Sequence, residues 1–381
     1  MPTYHKSTNT PLHLPSLSIG NFRGIENLEI PRLGRVTLIA GQNGVGKTTV
    51  LEAVRVYAAR GHLRVLEELL HQREEFIDVF NEDDGPELIP DLTALFHERD
   101  PTQVLTISIG PSDDYAMLAI ELLSPSTWTK EQPELFPNLN IDDGVWMLKI
   151  RFRNKELALP WVGIDQFQNA QARHRNPQRT WSRWLTEDWP EPIRCQTFGP
   201  GLSSTQDLTG LWSNVALTDD EDRTTEALRL LHNGIERVAI VAPTQRTRRN
   251  QRVLVKVVGR ERPVPLKSLG DGVVRVFAVA LALANSKNGF LVIDEAENGI
   301  HHSAQRNFWN MVLRTAQRNN VQVLATTHSW DCVTGFAQAS SALNDVEGIL
   351  VRLEDHPDGI RAVEYSEADL MVAAEQRIEV R

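Results

Sequence analysis

The chain has 381 residues, of which 41% are hydrophobic and 24% charged, and its formal net charge is −10. This composition is typical of a globular protein, and the length allows two domains or one domain with a large insertion. The acidic balance argues against a surface that coats nucleic acid throughout, although a local basic patch is compatible with it. The two cysteines, Cys195 and Cys332, lack the spacing of a metal site, so we interpret them as buried thiols of a reducing compartment.

The sequence gives no indication of export or of membrane insertion. Residues 1–17 contain no apolar segment behind a basic start, so we expect no secretory signal. The longest strongly apolar run, residues 273–284, contains Arg275 and is shorter than the roughly 20 residues that a membrane helix needs. We therefore expect a cytoplasmic protein.

The first part of the chain predicts strands around one helix. Residues 16–41 alternate as strands do, and a helix is expected to begin near residue 47. Residues 62–80 have a helical period, and residues 104–110 and 145–153 have the alternation of strands.

The character of the sequence changes between residues 111 and 235, where proline and tryptophan are dense and no long period is visible. We interpret this stretch as an insertion or lid that ends in a helix near residues 220–238, and its tryptophans as packing residues. From residue 236 strands and helices alternate again, followed by a hairpin around Asp358-Gly359 and a terminal helix. The predicted domains are an N-terminal lobe (1–110), the insertion (111–235) and a C-terminal lobe (236–381).

Residues 41–48, GQNGVGKT, match the phosphate-loop pattern G-x-x-x-x-G-K-[ST] in full. The match lies between an apolar strand and a helix, where glycines let successive backbone N–H groups point at a phosphate. Lys47 would neutralise phosphate charge, and the Thr48 hydroxyl could bind Mg²⁺. The predicted nucleotide-binding residues here are Gly41, Gln42, Asn43, Gly44, Val45, Gly46, Lys47, Thr48 and Thr49.

A second part of the site is predicted at the end of a buried strand. Four apolar residues, 290–293, precede Asp294 and Glu295, and ligands of open α/β sheets bind at this end of the strands. Asp294 would hold Mg²⁺ together with Thr48, and Glu295 would polarise the attacking water as a general base. An isolated acidic pair is commonly just a solvated strand end, but the phosphate loop in the same chain favours the catalytic interpretation.

Three further segments add to the phosphate loop and the acidic pair. Residues 17–30 contain NFRGI, residues 268–284 place glycines at the start of an apolar helix, and residues 321–330 form a strand that ends in His328. Together with the loop, they resemble the ABC class of ATPases, in the branch of SMC, RecF and OLD-like prokaryotic ATPases. The resemblance covers roughly residues 15–60 and 236–335. It implies an α/β head in which a mixed sheet is flanked by helices and carries an inserted lid.

The resemblance also implies roles for individual residues. His328 matches the switch histidine that senses the γ-phosphate, so the predicted catalytic residues are Glu295, Lys47 and His328. Gly270 and Gly272 match the signature loop, and Asn298 falls in the loop that touches the opposing subunit. At the signature a glycine stands where the family usually has a serine, so backbone N–H groups would have to supply that contact.

Two copies of such a head are expected to share two ATP molecules. The signature helix of one chain would complete the phosphate loop of the other, giving an ATP-dependent homodimer or higher homo-oligomer with slow hydrolysis. Arg23 matches a position near the nucleotide in related ATPases, and a surface arginine is the alternative interpretation. The family's glutamine switch has no clear counterpart in this chain.

The candidate partners are nucleic acid, an acidic protein and a separate effector protein. Residues 246–262 form a basic stretch that could contact nucleic acid or an acidic protein, or could be solvated. Little more than fifty residues follow His328, too few for the nuclease module of OLD-like proteins. We therefore expect a separate effector, a nuclease or a toxin, as in prokaryotic antiviral defence; this step rests on the resemblance.

Three functions are compatible with these sequence features. The first is an ATPase that dimerises on ATP and controls an effector. The second is an interaction module that binds ATP with little turnover, and the third, less favoured, is the motor subunit of a transporter.

Overall fold

The structure is a computed structural model, and it describes residues 10–81, 85–99, 105–112, 114–123, 146–161, 189–199, 205–241, 252–343, 345–365 and 369. The strands are β1 (Leu17–Phe22), β2 (Ile25–Ile30), β3 (Val36–Gly41), β4 (Phe76–Asn81), β5 (Gly85–Pro90), β6 (Leu105–Gly110), β7 (Leu118–Leu123), β8 (Trp146–Phe152), β9 (Lys155–Trp161), β10 (Cys195–Phe198), β11 (Ile235–Val241), β12 (Arg252–Val257), β13 (Val264–Pro265), β14 (Phe290–Ile293), β15 (Gln322–Thr327), β16 (Gly348–His356) and β17 (Gly359–Tyr365). The helices are α1 (Lys47–Ala58), α2 (Leu63–Gln72), α3 (Thr205–Ser213), α4 (Asp219–Arg229), α5 (Asp271–Asn285), α6 (Gln305–Arg318) and α7 (Trp330–Ser341).

The central sheet has the strand order β10-β14-β15-β3-β16-β17. Its first five strands run parallel, and β17 returns antiparallel to β16. Every residue of β3, β14 and β15 is buried, as expected for parallel strands that are covered on both faces. The carboxyl ends of these three strands consequently meet at one edge of the sheet.

Each central strand divides its side chains between two hydrophobic cores. In β3, Leu38 belongs to the core formed with α5, α6 and α7, whereas Ile39 belongs to the core formed with α1. In β14, Ile293 and Val292 are divided in the same way. The period of two in the sequence therefore assigns side chains to the two faces of the sheet.

The second large sheet is antiparallel, with the order β2-β1-β6-β7-β8-β9, and α1 packs between it and the central sheet. Strand β6 comes from the predicted N-terminal lobe, whereas β7, β8 and β9 come from the predicted insertion. Strand β10 and helices α3 and α4 of that insertion join the central sheet and its core. Residues on both sides of the boundary predicted at 110/111 thus share one sheet, and the three-part domain division stays a prediction.

Two predicted helices are shorter in the structure. Helix α2 ends at Gln72, Glu74 adopts a left-handed conformation with φ of 55°, and the following residues form β4. Helix α4 ends at Arg229, and the turn-forming dipeptide Asn233-Gly234 precedes β11. The hairpin around Asp358-Gly359 is confirmed as β16 and β17. The predicted terminal helix falls almost entirely outside the described residues.

The remaining expectations concern membrane insertion, the two cysteines and the tryptophans. No helix among them is both long and apolar enough to cross a membrane. Cys195 and Cys332 are free thiols, and burial raises the pKa of each to about 12. Trp212 packs in the core beside Phe277, with ring centroids 5.7 Å apart. Trp128, Trp181 and Trp184 lie outside the described part of the chain.

Candidate functional site

The predicted site residues follow three neighbouring strands of the central sheet. The phosphate loop follows β3, Asp294 and Glu295 follow β14, and His328 follows β15. The Thr48 hydroxyl lies 3.1 Å from a carboxylate oxygen of Asp294, although 246 residues separate them in sequence. The parallel strand order therefore brings the two halves of the predicted site into direct contact.

The phosphate loop has the backbone that its glycines predict. Gly41, Gly44 and Gly46 all have positive φ, and a β-carbon on Gly41 would lie 2.7 Å from the Leu353 carbonyl oxygen. Helix α1 begins at Lys47 without a side-chain cap, and its first turn contains no acidic residue. The N–H groups at this helix end therefore face no competing side chain, which suits an anionic ligand.

Lys47 closes over the loop that precedes it. Its ammonium donates hydrogen bonds to the carbonyl oxygens of Gly41, at 2.7 Å, and Gln42, at 2.8 Å. An ammonium has three N–H donors, so one is left for a ligand. Burial lowers the pKa of Lys47, and the carboxylates that follow β14 oppose this shift.

Asp294 is fixed from several sides. Its backbone N–H donates to the Phe198 carbonyl at 2.8 Å, and its carboxylate accepts a hydrogen bond from the Thr326 hydroxyl. The same hydroxyl accepts the backbone N–H of Glu295 at 2.9 Å, while Glu295 has a left-handed φ of 50°. Thr326 was missed in the sequence, where a buried strand threonine carries no signal beyond its place just before the strand end.

His328 is paired with Glu297, another residue that sequence reasoning missed. The backbone N–H of His328 donates to Glu297 Oε1 at 2.9 Å, and the His328 Nδ1 atom lies 3.2 Å from the same oxygen. The imidazole is half exposed, whereas the Glu297 side chain is 11% exposed. The available signal was a second glutamate two positions after Glu295.

Gly270, Gly272 and Asn298 lie in a neighbouring segment of the surface. Gly270 has a φ of 102°, and a β-carbon added to it would meet no atom within 4 Å. A β-carbon on Gly272 would lie 2.8 Å from the Gly299 carbonyl oxygen. The turn at Gly270–Gly272, which the resemblance assigns to the signature and which we call the signature turn, therefore abuts the loop that follows β14 in the same chain. Gly270 and Asn298 are exposed.

A buried arginine connects the signature helix to the acidic strand end. Arg275 of α5 donates to the backbone carbonyls of Asp294 and Glu295, at 3.0 and 2.8 Å, and its guanidinium lies 4.3 Å from the Phe198 ring centroid. Burial lowers the pKa of Arg275 to about 10, and the nearby carboxylates oppose this shift. In the sequence this residue indicated only that the apolar run 273–284 does not cross a membrane.

Arg23 is buried, so the interpretation as a surface arginine is wrong. Its guanidinium forms ion pairs with Glu52, at 2.9 Å, and Glu75, at 2.7 Å, and the side chain is 3% exposed. Burial raises the pKa of Glu52, and the charges of Arg23 and Arg73 oppose the shift. These contacts show a structural role that ties the turn between β1 and β2 to α1.

A cavity of about 560 Å³ lies beside the phosphate loop. It is bounded by Gly24, by residues 42–45 of the loop, and by residues 352–355 and Ile360 of the β16–β17 hairpin. Its volume is within the range of small-ligand sites.

The basic stretch is described from Arg252 onward, because residues 246–251 lie outside the described part. The valines of β12 face the core, so Arg252 and Lys256 face outward, and Arg237 of β11 lies directly opposite Lys256. Arg260 and Arg262 follow in the exposed turn after β12. None of these five side chains forms an ion pair with another described residue.

Two family models match the chain. One, described as an AAA domain together with AbiEii toxin and type IV toxin–antitoxin systems, matches residues 203–331. The other, described as an AAA domain, matches residues 16–64. These two ranges contain all the predicted site residues.

The chain is also similar to individual proteins and solved structures. An ATP/GTP phosphatase of Helicobacter pylori is 23% identical over 342 residues, which is 84% of this chain and 86% of that protein. An uncharacterized protein of Methanocaldococcus jannaschii is 34% identical over 83 residues, 22% of this chain and 72% of that protein. A solved SMC head bound to the C-terminal winged-helix domain of ScpA covers 93% of this chain and 98% of that one, at 11% identity and a TM-score of 0.46.

The phosphate loop, the parallel sheet that ends in Asp294 and Glu295, and the two family models have the same implication. The chain is a P-loop ATPase whose residues 16–64 and 203–331 match AAA domains.

Proposed function

We propose that two copies of this chain bind ATP and Mg²⁺ between them, and that hydrolysis controls a separate effector. The observation that carries the proposal is the contact of Thr48 with Asp294 next to the uncapped N-terminus of α1. These contacts support the proposal because the Lys47 ammonium, the N-terminus of α1 and the side-chain oxygens of Thr48 and Asp294 lie at one edge of the sheet.

In this proposal the phosphate loop binds the triphosphate through its backbone N–H groups, and Lys47 offsets the phosphate charge. The Thr48 hydroxyl and the Asp294 carboxylate fit Mg²⁺, which prefers oxygen ligands. When bound, Mg²⁺ would neutralise charge that develops on the phosphates. Glu295 would accept a proton from the attacking water, since it follows Asp294 at the same strand end.

The cavity beside the loop is the candidate site for the nucleoside. Residues 42–45 form one of its walls and the phosphate-binding helix follows them, so a base placed there would adjoin the phosphates. The name of the H. pylori relative, an ATP/GTP phosphatase, supports hydrolysis and raises GTP as a second substrate.

In this proposal the turn at Gly270 and the exposed Asn298 act on the nucleotide of a second copy. Gly270 and Asn298 are exposed, and the N-terminus of α5 has no side-chain cap, although its first turn, unlike that of α1, contains an acidic residue, Asp271. A signature turn of this kind would offer backbone N–H groups to the nucleotide of the opposing copy. His328 would then contact the γ-phosphate end, and closure of the two heads would limit the rate.

The interface model is tested with Glu295→Gln. Removal of the general base should slow hydrolysis by about 10²- to 10⁴-fold and leave ATP binding intact, so the variant should accumulate as an ATP-bound dimer. Size exclusion with light scattering, with and without ATP and Mg²⁺, measures the assembly.

Lys47→Ala is the control, because it should stay monomeric at every ATP concentration. A Glu295→Gln chain that remains monomeric with saturating ATP would reject the shared site. A Glu295→Gln chain that releases phosphate as fast as the unchanged chain would reject the role of Glu295. An interaction module with little turnover remains the alternative function.

The proposal also includes a separate effector protein that ATP hydrolysis controls. The description of the matched model names a type IV toxin–antitoxin system, which supports a role in a system of more than one component. A nuclease or toxin effector in antiviral defence rests on the family resemblance. Nucleic-acid binding is a second candidate function, and the observation that favours it is the outward face of β11 and β12. Arg237 and Lys256 are directly opposite like charges, an arrangement that costs stability unless an anion binds there.

A further inference from the structure

Glu297 is a nearly buried carboxylate to which the nucleotide-binding motifs assign no role. One of its oxygens, Oε1, interacts twice with His328, and the other, Oε2, is buried without a hydrogen-bond partner among the described residues. A buried carboxylate with an unsatisfied oxygen destabilises a fold. The cost points to a purpose other than stability for this position.

Glu297 Oε1 interacts with both the backbone N–H and the imidazole ring of His328. The Glu297 oxygen holds the backbone N–H at 2.9 Å and faces Nδ1 at 3.2 Å. A carboxylate facing Nδ1 favours a proton on that nitrogen, so Nε2 is the nitrogen left for a ligand. The half-exposed ring leaves that second nitrogen accessible. This is the way in which a carboxylate sets the orientation and tautomer of an imidazole in other sites.

Glu297 also begins the segment that lies against the signature turn. Two backbone hydrogen bonds, Asn298 N–H to the Glu295 carbonyl and Ile300 N–H to the Glu297 carbonyl, make this segment a compact turn. Its Gly299 contacts the signature turn at Gly272. The two ends of one short turn therefore meet the switch histidine and the signature turn.

We propose that Glu297 is a positioning residue that holds the His328 imidazole with Nδ1 toward its carboxylate. This inference rests on the proposed function, in which His328 contacts the γ-phosphate end of the nucleotide. The two glutamates then have different roles: Glu295 would accept a proton from the attacking water, and Glu297 would orient the His328 imidazole.

The first test is spectroscopic and needs no turnover. In the full chain labelled with ¹⁵N-histidine and free of nucleotide, long-range ¹H–¹⁵N spectra should show His328 with its proton on Nδ1. The signal is assigned by its loss in His328→Gln. Glu297→Ala should shift His328 toward the other tautomer, whereas Glu261→Ala, which removes an exposed carboxylate elsewhere, should not. An unchanged His328 signal in a folded Glu297→Ala chain would overturn the proposal.

The second test separates positioning from binding. Glu297→Ala should lower kcat by up to about 10²-fold, the cost of a misplaced group, with KM for ATP changed by less than about twofold. Because Glu297 acts through His328, the double variant Glu297→Ala/His328→Ala should be no slower than His328→Ala. Multiplying effects in the double variant would contradict the proposal.

Failure of the proposed function gives a different result. If Glu295→Gln keeps full turnover, the catalytic assignment of Glu295 is wrong, yet the His328 spectrum still decides the role of Glu297. The conservative variant Glu297→Gln keeps an acceptor for the His328 N–H and should recover part of kcat. A Glu297→Gln chain as slow as Glu297→Ala would contradict positioning of His328 by the hydrogen-bond acceptor at residue 297.

Discussion

The hydroxyl of Thr326 serves two neighbours at once. It donates to the Asp294 carboxylate and accepts the N–H of Glu295, so it fixes the two acidic residues relative to each other. Thr326 is fully buried, so water does not reach its hydroxyl, whereas Asp294 and Glu295 are half-buried. The geometry of the acidic strand end therefore depends on a residue of the adjacent strand.

Thr326→Val should remove both bonds with little change in shape. We expect a loss of about 1–3 kcal/mol in the free energy of unfolding, since a buried N–H is left unpaired, together with slower ATP hydrolysis. Urea denaturation and phosphate release measure the two effects.

Thr37→Val is the matched control for this variant. The Thr37 hydroxyl is also buried and accepts the Gly34 N–H at 3.0 Å, but it lies near the opposite end of β3 from the phosphate loop. We expect a similar loss of stability with unchanged kcat. Equal turnover in the two variants would show that Thr326 does not organise the site.

Sequence motifs predicted some residues of the candidate site but not others. Lys47, Thr48 and Asp294 were predicted because a loop or strand end of fixed spacing carries them, and the structure places them together. Thr326 and Glu297 act through tertiary contacts with partners about thirty residues away. No local spacing encodes such pairs, so a single sequence does not reveal them.

The phosphate loop is an element whose shape depends on contact with its neighbour. Gly41 leaves β3 with a φ of 148°, and Leu353 of β16 lies opposite it in the sheet. A β-carbon would come within 2.7 Å of the Leu353 carbonyl oxygen, a backbone group that cannot easily move away. The strand pairing therefore requires glycine at the start of the loop.

Gly41→Ala should destabilise the chain by about 1–3 kcal/mol through backbone strain and should weaken ATP binding. Calorimetric titration with ATP and thermal denaturation test this. Gly259→Ala is the control, since Gly259 also has a positive φ, of 76°, but its β-carbon would meet no atom within 4 Å. We expect the control to lose less stability and to bind ATP normally. Unimpaired ATP binding by Gly41→Ala would contradict the requirement.

Element boundaries show the limits of periodicity. The central strands were predicted well because buried parallel strands read as continuous apolar runs. The helix predicted for residues 62–80 was too long because the apolar residues of β4 happen to continue the period of α2. The helical period cannot detect a left-handed residue such as Glu74, which ends the helix.

The whole molecule carries a net charge of −10, and the outward face of β11 and β12 carries the opposite sign. Arg252 lies four residues from Lys256 along β12, a distance of roughly 13 Å in a strand. That is the axial rise of about four nucleotides at 3.4 Å each. The face is therefore long enough to follow a phosphate backbone.

Arg237→Gln/Arg252→Gln should weaken binding of a labelled DNA duplex and lower the slope of log affinity against log salt by about two. Fluorescence anisotropy over a series of salt concentrations measures this. Arg64→Gln/Arg314→Gln removes two exposed charges from α2 and α6 and should change neither quantity. If the unchanged chain binds polyglutamate and no nucleic acid, this face docks an acidic protein instead.

The central sheet has a mechanical consequence for the molecule. Leu38 and Ile39 are adjacent in one strand yet belong to different cores, so neither core can lose its order while the other keeps that strand in place. Melting of the described regions should accordingly proceed in a single step, with no half-unfolded species to trap. A displacement of the strand ends at the nucleotide site would therefore move side chains in both cores, because the same strands contribute to both.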